Sequence, residues 1–329
     1  MVDLQTILSS NRNLPSHLTA VFVGGTSGIG LYTLLALAQH CAHLTIYLIG
    51  RSQSSASSIL AQLHIINPAG VYTFLQSDVS LMTNVDAVCA QIRAKEPFIN
   101  ILVQSQGTLS VGQETTEGMH VTASLVLHSR HRFTLNLLPL LEKADGVRRV
   151  VSIFTGTKEG PIPPSVTELQ MRTLKNPLKA RGLAASCVTL LMEEAARRAP
   201  TVGFVHTFPG FVSSGINRDL NIVFRALGKA VEVVGGSWLL VPKEESGERN
   251  LWLATSPRFA GGADGEKVDR AIGTDGKVGS GVYVVDEKGE AGGEAVVKVL
   301  KDLRAQKKDE WVWEEVRKDF VRITGKESL

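Results

Sequence analysis

The chain has 329 residues, of which 43% are hydrophobic and 20% are charged. This length and composition are typical of a globular protein that buries a large core. Lys and Arg number 35 against 32 Asp and Glu, which gives a formal net charge of +3. This balance is too even to indicate a nucleic-acid-binding surface, and the sequence has no basic run with interleaved aromatic residues. We therefore expect no nucleic-acid partner.

Other features of the composition argue against a secreted, membrane-bound or metal-binding protein. The three cysteines are far apart in the chain, at Cys41, Cys89 and Cys187. They lie in apolar stretches, as buried thiols in a reducing compartment do. No apolar run reaches membrane-spanning length, no signal peptide is recognisable, and no histidines or cysteines have the spacing of metal ligands. We therefore expect a soluble cytoplasmic protein with no membrane partner and no metal.

Strand and helix signals alternate along the chain. Short apolar runs predict strands at 17–24, 44–49, 71–75, 99–104, 147–154, 202–208 and 282–285. Helical spacing predicts helices at 29–41, 81–95, 119–142 and 179–199, followed by two charged helices near the C-terminus. Apolar strands separated by helices predict an α/β fold with a doubly wound parallel sheet of the Rossmann type. In such a sheet, ligands bind beyond the carboxyl ends of the strands.

The pattern predicts one nucleotide-binding domain over residues 17–291. An N-terminal segment, 1–16, precedes it, and a C-terminal helical extension, 292–329, follows it. Residues 155–176 carry three prolines and predict a loop above the sheet. Within the domain we expect a substrate lid at 213–255. Apolar residues of that lid, such as Ile222, Phe224 and Leu227, predict a hydrophobic small-molecule substrate.

The strongest motif follows the first predicted strand, where residues 23–30 read Val-Gly-Gly-Thr-Ser-Gly-Ile-Gly. Backbone amides at a helix N-terminus hold a pyrophosphate only where side chains leave the approach open, and glycines provide that opening. A lone glycine motif is weak evidence. This one lies at a strand–helix junction with a second βαβ unit behind it, and its candidate cofactor contacts are Gly24, Thr26, Ser27, Gly28, Ile29 and Gly30.

The second predicted strand ends in Gly50-Arg51-Ser52. Dinucleotide folds that prefer NAD have an acidic residue here, which accepts a hydrogen bond from the adenosine ribose. Arg51 has the opposite charge, and its guanidinium can pair with a 2′-phosphate beside Ser52. The alternative is that Arg51 is a solvated surface charge. We favour NADP(H) as the cofactor.

The glycine spacing Gly24-x-x-x-Gly28-x-Gly30 resembles that of the short-chain dehydrogenase/reductase family. Further segments are similar: Asp78-Val79 resembles the adenine-contacting pair of the family, and residues 104–107 keep only Gly107 of its Asn-Asn-Ala-Gly. Residues 209–214 resemble the segment that meets the nicotinamide. The resemblance spans about residues 17–255. It implies further cofactor contacts at Asp78, Val79, Gly107, Pro209, Gly210, Val212 and Ser214.

Members of that family use a Ser, a Tyr-x-x-x-Lys pair and an Asn to move a proton. The tyrosines of this chain are Tyr32, Tyr47, Tyr72 and Tyr283, so none lies between the fourth strand and the Pro209-Gly210 segment. The catalytic tyrosine is therefore missing.

Thr155 falls on the serine position and keeps a hydroxyl. Two registers remain open for the Tyr-x-x-x-Lys pair: Lys175 and Lys179, or Pro177 and Arg181. The asparagine position falls near Val126. The resemblance implies catalytic roles for Thr155, Lys175 and Lys179.

The resemblance implies an NADP(H)-dependent oxidoreductase that acts on a hydrophobic carbonyl or alcohol, and the chain looks like atypical fungal members linked to secondary metabolism. Water, Lys175 or the His128–His131 pair would then supply the proton. One alternative is a non-redox isomerase, cyclase or dehydratase that keeps the nucleotide as a structural element. Another is a cofactor-sensing binding protein without catalysis. By analogy with the family, we also expect a homodimer or homotetramer.

Overall fold

A single parallel sheet organises the chain in the computed structural model, which describes residues 2–108, 112–166, 169–170, 177–212, 241–264 and 269–329. Seven strands pair in the order β3-β2-β1-β4-β5-β6-β7, and every pairing is parallel. The strands are β1 His17–Val23, β2 His43–Gly50, β3 Val71–Gln76, β4 Ile101–Gln104, β5 Arg149–Ile153, β6 Gly203–Thr207 and β7 Val282–Val285. The predicted doubly wound fold is confirmed.

Helices cover both faces of the sheet. The face called here the α2 face carries α1 (Leu4–Asn11), α2 (Gly28–His40), α3 (Gln53–Ile66) and α8 (Lys243–Thr255). The opposite α6 face carries α4 (Met82–Lys95), α6 (Ser129–Glu142), α7 (Pro177–Arg198), α9 (Glu294–Ala305) and α10 (Lys308–Thr324). The short α5 (Val121–Ala123) runs through a π-helical turn (Ser124–His128) into α6. None of these helices is both long and apolar enough to cross a membrane.

The register brings the carboxyl ends of the central strands into one row. Val23 of β1 pairs with Gln104 of β4, and Gln104 pairs with Ser152 of β5. Ser152 pairs in turn with His206 of β6. Because the strands are parallel, the loops that follow them all emerge at this edge, which is where a doubly wound sheet binds ligands.

The C-terminal helices complete the core on the α6 face. Val312, Val316 and Phe320 of α10 are fully buried in the same apolar cluster as α6 and α7. On the other face, α8 packs closely on α2, because a Cβ at Gly247 would lie 2.5 Å from the Tyr32 carbonyl oxygen. The described part of the predicted lid, residues 241–255, is thus mostly the helix α8, and residues 213–240 lie outside the described residues.

His131 of α6 is buried against α10. Its ring lies 5.3 Å from the Trp313 ring and 6.4 Å from the Phe320 ring, measured between centroids. Burial, with smaller contributions from Arg198 and His128, lowers the pKa of His131 to about 3. The folded protein therefore binds this proton only in strong acid, whereas an unfolded histidine binds it near pH 6.5.

We expect this histidine to destabilise the fold as the pH falls. Between about pH 6.5 and pH 3 the unfolded state gains a proton that the folded state rejects, so stability declines as the pH falls through that window. His131→Phe keeps the aromatic packing and removes the titration. Urea unfolding at pH 7 and pH 5 should show the variant losing about 2 kcal/mol less than the wild type. Equal losses would contradict this role of His131.

Candidate active site at the carboxyl edge of the sheet

The glycine-rich turn between β1 and α2 has the backbone that its glycines require. Gly24 has φ 85° and Gly28 has φ 59°, both in the left-handed region. A Cβ on Gly24 would lie 2.6 Å from the Gln106 nitrogen, and one on Gly30 would lie 2.2 Å from Ser105 Oγ. Since Ser105 Oγ donates to the Gly24 carbonyl at 3.0 Å, the loop after β4 closes against this turn.

The remaining residues of the turn are placed by their neighbours. Thr26 packs on the end of β2, because a Cβ at Gly50 would lie 2.6 Å from Thr26 Cγ2. Ser27 is the N-cap residue of α2. The Ile29 carbonyl accepts from Thr33 Oγ1 at 2.8 Å inside the helix. Gly28 and Gly30 therefore lie in the first turn of α2, and the backbone amides of that turn fit a pyrophosphate.

Arg51 and Ser52 follow β2 at the same edge. Arg51 is exposed, and Ser52 caps α3 by accepting from the Ser55 amide at 3.2 Å. A cleft of about 440 Å³ opens beside Arg51 and is lined also by Gln76, Ser77, Asp78, Asn84, Ala87, Val88 and Gln91. The exposed Asp78 accepts from the Ser80 amide and hydroxyl, while Val79 is buried in the core. The cleft is thus lined by both a cation and a carboxylate.

A buried arginine ties the loop after β4 to the end of β5. Arg130 of α6 donates to the Gln104 and Gln106 carbonyls at 2.9 and 2.6 Å. It also donates to Ser152 Oγ at 2.5 Å and to the Ile153 carbonyl at 3.2 Å. Burial lowers the pKa of Arg130 to about 9, which keeps the guanidinium charged at neutral pH. Gly107 follows Gln106 in the same loop, and a Cβ at Gly107 would meet nothing within 4 Å. The backbone at Gly107 is therefore open to a ligand.

Thr155 lies directly after β5 and is buried. Its backbone amide donates to His206 Nε2 at 3.2 Å, while its Oγ1 has no hydrogen-bond partner among the described residues. His206 Nδ1 lies 2.8 Å from Thr189 Oγ1, and this hydroxyl donates to Glu159 Oε1, also at 2.8 Å. Thr155, predicted at the serine position, thus contacts a buried histidine–threonine–glutamate chain through its backbone amide.

The first turns of α7 carry the candidate cations. Lys179 is exposed on α7. The Arg181 guanidinium lies 4.9 Å from the Phe208 ring centroid, and Lys158 Nζ lies 5.0 Å from it. Burial lowers the pKa of Arg181. Lys175 lies outside the described residues, so the register of the Tyr-x-x-x-Lys equivalent stays a prediction.

The segment after β6 returns to the same edge. Pro209 lines a small crevice near α8, and Gly210 has φ 77°. Val212 pairs with Val241 in an isolated bridge, and Phe211 is 65% exposed. Ser214 lies outside the described residues.

The histidines proposed as a proton relay point elsewhere. His128 Nε2 lies 3.0 Å from Asp319 Oδ2 of α10. Burial by itself raises the pKa of that carboxyl, but hydrogen bonds from His128 and Arg322 lower it to about 2. Because His131 also faces α10, these side chains join helices rather than reach the sheet edge. Val126, at the asparagine position, is buried in the core.

Sequence reasoning missed Arg130, Glu159 and His206. Arg130 lies in a helical pattern beside other polar residues, where a solvated arginine is the usual interpretation. Glu159 lies in the proline-rich loop, and His206 is a single polar residue in an apolar strand. A polar residue inside such a strand is the one signal that was available, since buried polar groups require partners.

Comparison with known proteins assigns the family. A sequence model of the family described as short chain dehydrogenase matches residues 18–151. Oxidoreductase AN1596 of Emericella nidulans is 35% identical over 95% of this chain and 96% of its own length. Short-chain dehydrogenase/reductase SAT2 of Stachybotrys chartarum is 28% identical over 88% of this chain and 89% of its own. The chain therefore belongs to the short-chain dehydrogenase/reductase family and is related to oxidoreductases over nearly its whole length.

A solved structure agrees on the fold. YwfH, an NADPH dependent reductase involved in bacilysin biosynthesis, matches with a TM-score of 0.57 at 14% identity. The match covers 73% of this chain and 92% of that protein. At this identity the likeness concerns the arrangement of strands and helices alone.

Proposed function

We propose that this protein is an NADP(H)-dependent oxidoreductase that interconverts a hydrophobic carbonyl compound and its alcohol in secondary metabolism. The observation that carries the proposal is the junction of the Gly24 turn with the loop at Ser105 and Gln106, beside Arg51. When bound there, the nicotinamide cofactor supplies the hydride. The residues of the chain bind and orient the nucleotide and transfer the proton.

The charge beside the cleft supports NADP(H) over NAD(H). Arg51 is exposed at the end of β2, where an acidic residue would accept from the ribose of NAD. A guanidinium there pairs with the 2′-phosphate through charge-assisted hydrogen bonds. The Asp78 carboxylate on the same cleft is occupied at Oδ1 by Ser80.

Two features support a hydrophobic substrate with one reacting oxygen. Phe208 and Phe211 pack edge to face with ring centroids 6.1 Å apart, and Phe211 is largely exposed at the carboxyl edge. Thr155 has a buried hydroxyl without a partner among the described residues, which is suited to orienting a substrate oxygen.

Arg51→Asp tests the cofactor assignment. We expect the wild-type protein to bind NADPH more tightly than NADH, and the variant to reverse that order. The loss for NADPH should be about 1.5–3 kcal/mol, because charge-assisted bonds to the phosphate disappear and a like charge replaces them. Fluorescence titration of both nucleotides against both proteins measures it. Unchanged affinities in the variant would show that Arg51 does not contact the nucleotide.

A non-redox isomerase, cyclase or dehydratase is the second candidate, and the missing tyrosine favours it. No tyrosine lies between Thr155 and Pro209, so the usual phenol acid is absent from the sequence of this site. Such an enzyme would bind NADPH without oxidising it. The absorbance of the reduced nicotinamide, followed with a panel of ketones, separates the two functions.

A further inference from the structure

Two cationic side chains lie close to one aromatic ring at the carboxyl edge of the sheet. Lys158 Nζ lies 5.0 Å from the centroid of the Phe208 ring, and the Arg181 guanidinium carbon lies 4.9 Å from it. Lys158 is exposed, whereas Arg181 and Phe208 are half-buried. The ring attracts each cation, but two cations held around one ring also repel each other. Lys158 and Arg181 are called here the cation pair.

No carboxylate of the described part of the chain neutralises the cation pair. Neither Lys158 nor Arg181 forms an ion pair with a described residue. Glu159 is next to Lys158 in the chain but is turned inward, where its Oε1 accepts from Thr189 Oγ1 at 2.8 Å. Burial lowers the pKa of Arg181, whereas a neighbouring carboxylate would raise it. The cation pair therefore offers its charge to an anionic ligand.

The ends of two neighbouring strands place the cation pair beside Thr155. β5 and β6 are paired, and the Phe154 amide donates to the Thr207 carbonyl at 2.9 Å. Thr155 and Phe208 are the next residues along the two chains. The Lys158 amide donates to the Thr155 carbonyl at 3.2 Å, so the chain turns immediately after Thr155. A ligand bound at the cation pair therefore lies next to the predicted catalytic threonine.

The phosphates of the proposed cofactor belong to another part of this edge. The glycine-rich turn follows β1 and Arg51 follows β2, whereas Phe208 follows β6. In the sheet, β4 and β5 separate β1 from β6. With about 4.8 Å between neighbouring strands, the cation pair is on the order of 14 Å from the turn, and it is farther from Arg51. The anionic group that it would bind thus belongs to a second ligand.

An apolar surface adjoins the cation pair. Phe211 is 65% exposed, and its ring packs edge to face on the Phe208 ring with centroids 6.1 Å apart. The exposed ring favours an apolar body in the ligand. The planar Arg181 guanidinium favours a carboxylate, because it can donate two parallel hydrogen bonds to it. A hydrophobic carboxylic acid satisfies both surfaces.

We propose that the substrate is a hydrophobic keto acid or the corresponding hydroxy acid, and that its carboxylate binds Lys158 and Arg181. This inference rests on the proposed oxidoreductase function and specifies the substrate class for it. The ketone is the group that exchanges a hydride with the nicotinamide. Lys158 and Arg181 determine specificity by binding the carboxylate. Since Lys158 follows Thr155 by only three residues, a short carbon chain separates the carboxylate from the ketone.

Two matched substrates test this preference. 4-Oxo-4-phenylbutanoic acid and its methyl ester have the same ketone but differ in charge. With NADPH, we expect kcat/KM of the wild-type protein to be about 10-fold or more higher for the acid. Lys158→Gln and Arg181→Gln should each remove most of that difference. Added salt should reduce it in the wild type, because Lys158 is exposed.

Lys308→Gln is the matched control for these variants. Lys308 Nζ also lies 4.9 Å from an aromatic centroid, that of Trp311, but it belongs to α10 on the α6 face. Its substitution should leave the ratio of acid to ester unchanged. NADPH affinity should be the same in Lys158→Gln as in the wild type. A loss of NADPH affinity that matches the loss of acid preference would show that Lys158 binds the cofactor, and would overturn the proposal.

Binding of an acid that has no ketone gives a readout that is independent of turnover. Calorimetric titration with 4-phenylbutyrate, in the presence of NADPH, should show binding to the wild type that weakens by about 10-fold in Lys158→Gln and in Arg181→Gln. The neutral 4-phenylbutanamide should bind all three proteins equally weakly. Equal wild-type affinities for the acid and the amide, or no detectable binding of the acid, would overturn the proposal.

The outcomes separate the substrate class from the oxidoreductase function. NADPH oxidation at equal kcat/KM with the acid and the ester overturns the keto-acid class and leaves the oxidoreductase function standing. Binding of 4-phenylbutyrate that depends on Lys158 and Arg181, without NADPH oxidation by either ketone, counts against the oxidoreductase function and the keto-acid class together.

Discussion

Asp86→Ala is expected to lower the free energy of unfolding by about 3–5 kcal/mol, because it leaves a fully buried arginine without its counter-charge. Arg132 has a side chain with 0% exposure, and Asp86 accepts from its Nε and Nη2 at 2.7 Å each. Asp86 also accepts from Asn136 Nδ2 at 2.8 Å, so one substitution removes the acceptor of three donor atoms on two buried side chains.

The effect should reach the C-terminal helices, since the same guanidinium holds them. Arg132 donates to Thr324 Oγ1 at 2.9 Å and lies 4.9 Å from the Phe320 ring centroid. Urea unfolding measures the loss of stability, and hydrogen exchange shows whether α10 opens first. Glu314→Ala is the matched control, because its ion pair with Arg317 is exposed and should not shift the urea midpoint. A wild-type midpoint for Asp86→Ala would mean that Arg132 does not depend on that carboxylate.

Gly24→Ala is expected to cost about 2–5 kcal/mol and to abolish nucleotide binding. The residue has φ 85°, which an alanine adopts only at a cost. Its added Cβ would also lie 2.6 Å from the Gln106 nitrogen and 2.9 Å from the Ser105 carbonyl carbon, both backbone atoms that cannot rotate away. The turn and the loop after β4 must therefore separate.

Gly107→Ala is the variant to compare with Gly24→Ala. A Cβ there meets nothing within 4 Å, so we expect unchanged stability. If the open space belongs to the nucleotide, NADPH affinity should still fall. Thermal melting and NADPH titration of both variants separate the two roles. If Gly24→Ala binds NADPH with wild-type affinity, the contact between the glycine-rich turn and the loop after β4 is not required for nucleotide binding.

Local patterns were enough to predict the sheet. The runs at β1, β4 and β5 are mainly apolar because both faces of a parallel strand are buried, and all residues of these strands except His17 are buried in the structure. Gly24 was likewise predictable, since its left-handed backbone is a local requirement. The C-terminal helices were predicted as an extension, but their packing on α6 and α7 depends on tertiary contacts.

The chemistry around Thr155 could not be predicted in the same way. Glu159 meets Thr189 across 30 positions of chain, and Arg130 meets Gln104 across 26. Neither residue type nor local spacing distinguishes these side chains from solvated ones. These side chains meet their partners because the strand register aligns Gln104, Ser152 and His206 at the carboxyl edge of the sheet. The absence of a tyrosine between Thr155 and Pro209 was visible in the sequence.

The proposed function requires that the chain bind NADP(H) and transfer its hydride to a hydrophobic carbonyl. The decisive experiment is anaerobic mixing of the wild-type protein with NADPH and a panel of ketones, followed by absorbance of the reduced nicotinamide. We predict NADPH oxidation that depends on both ketone and protein, and slower oxidation of NADH at equal concentration. Stoichiometric binding of NADPH with no oxidation by any ketone would contradict the claim and favour the non-redox function.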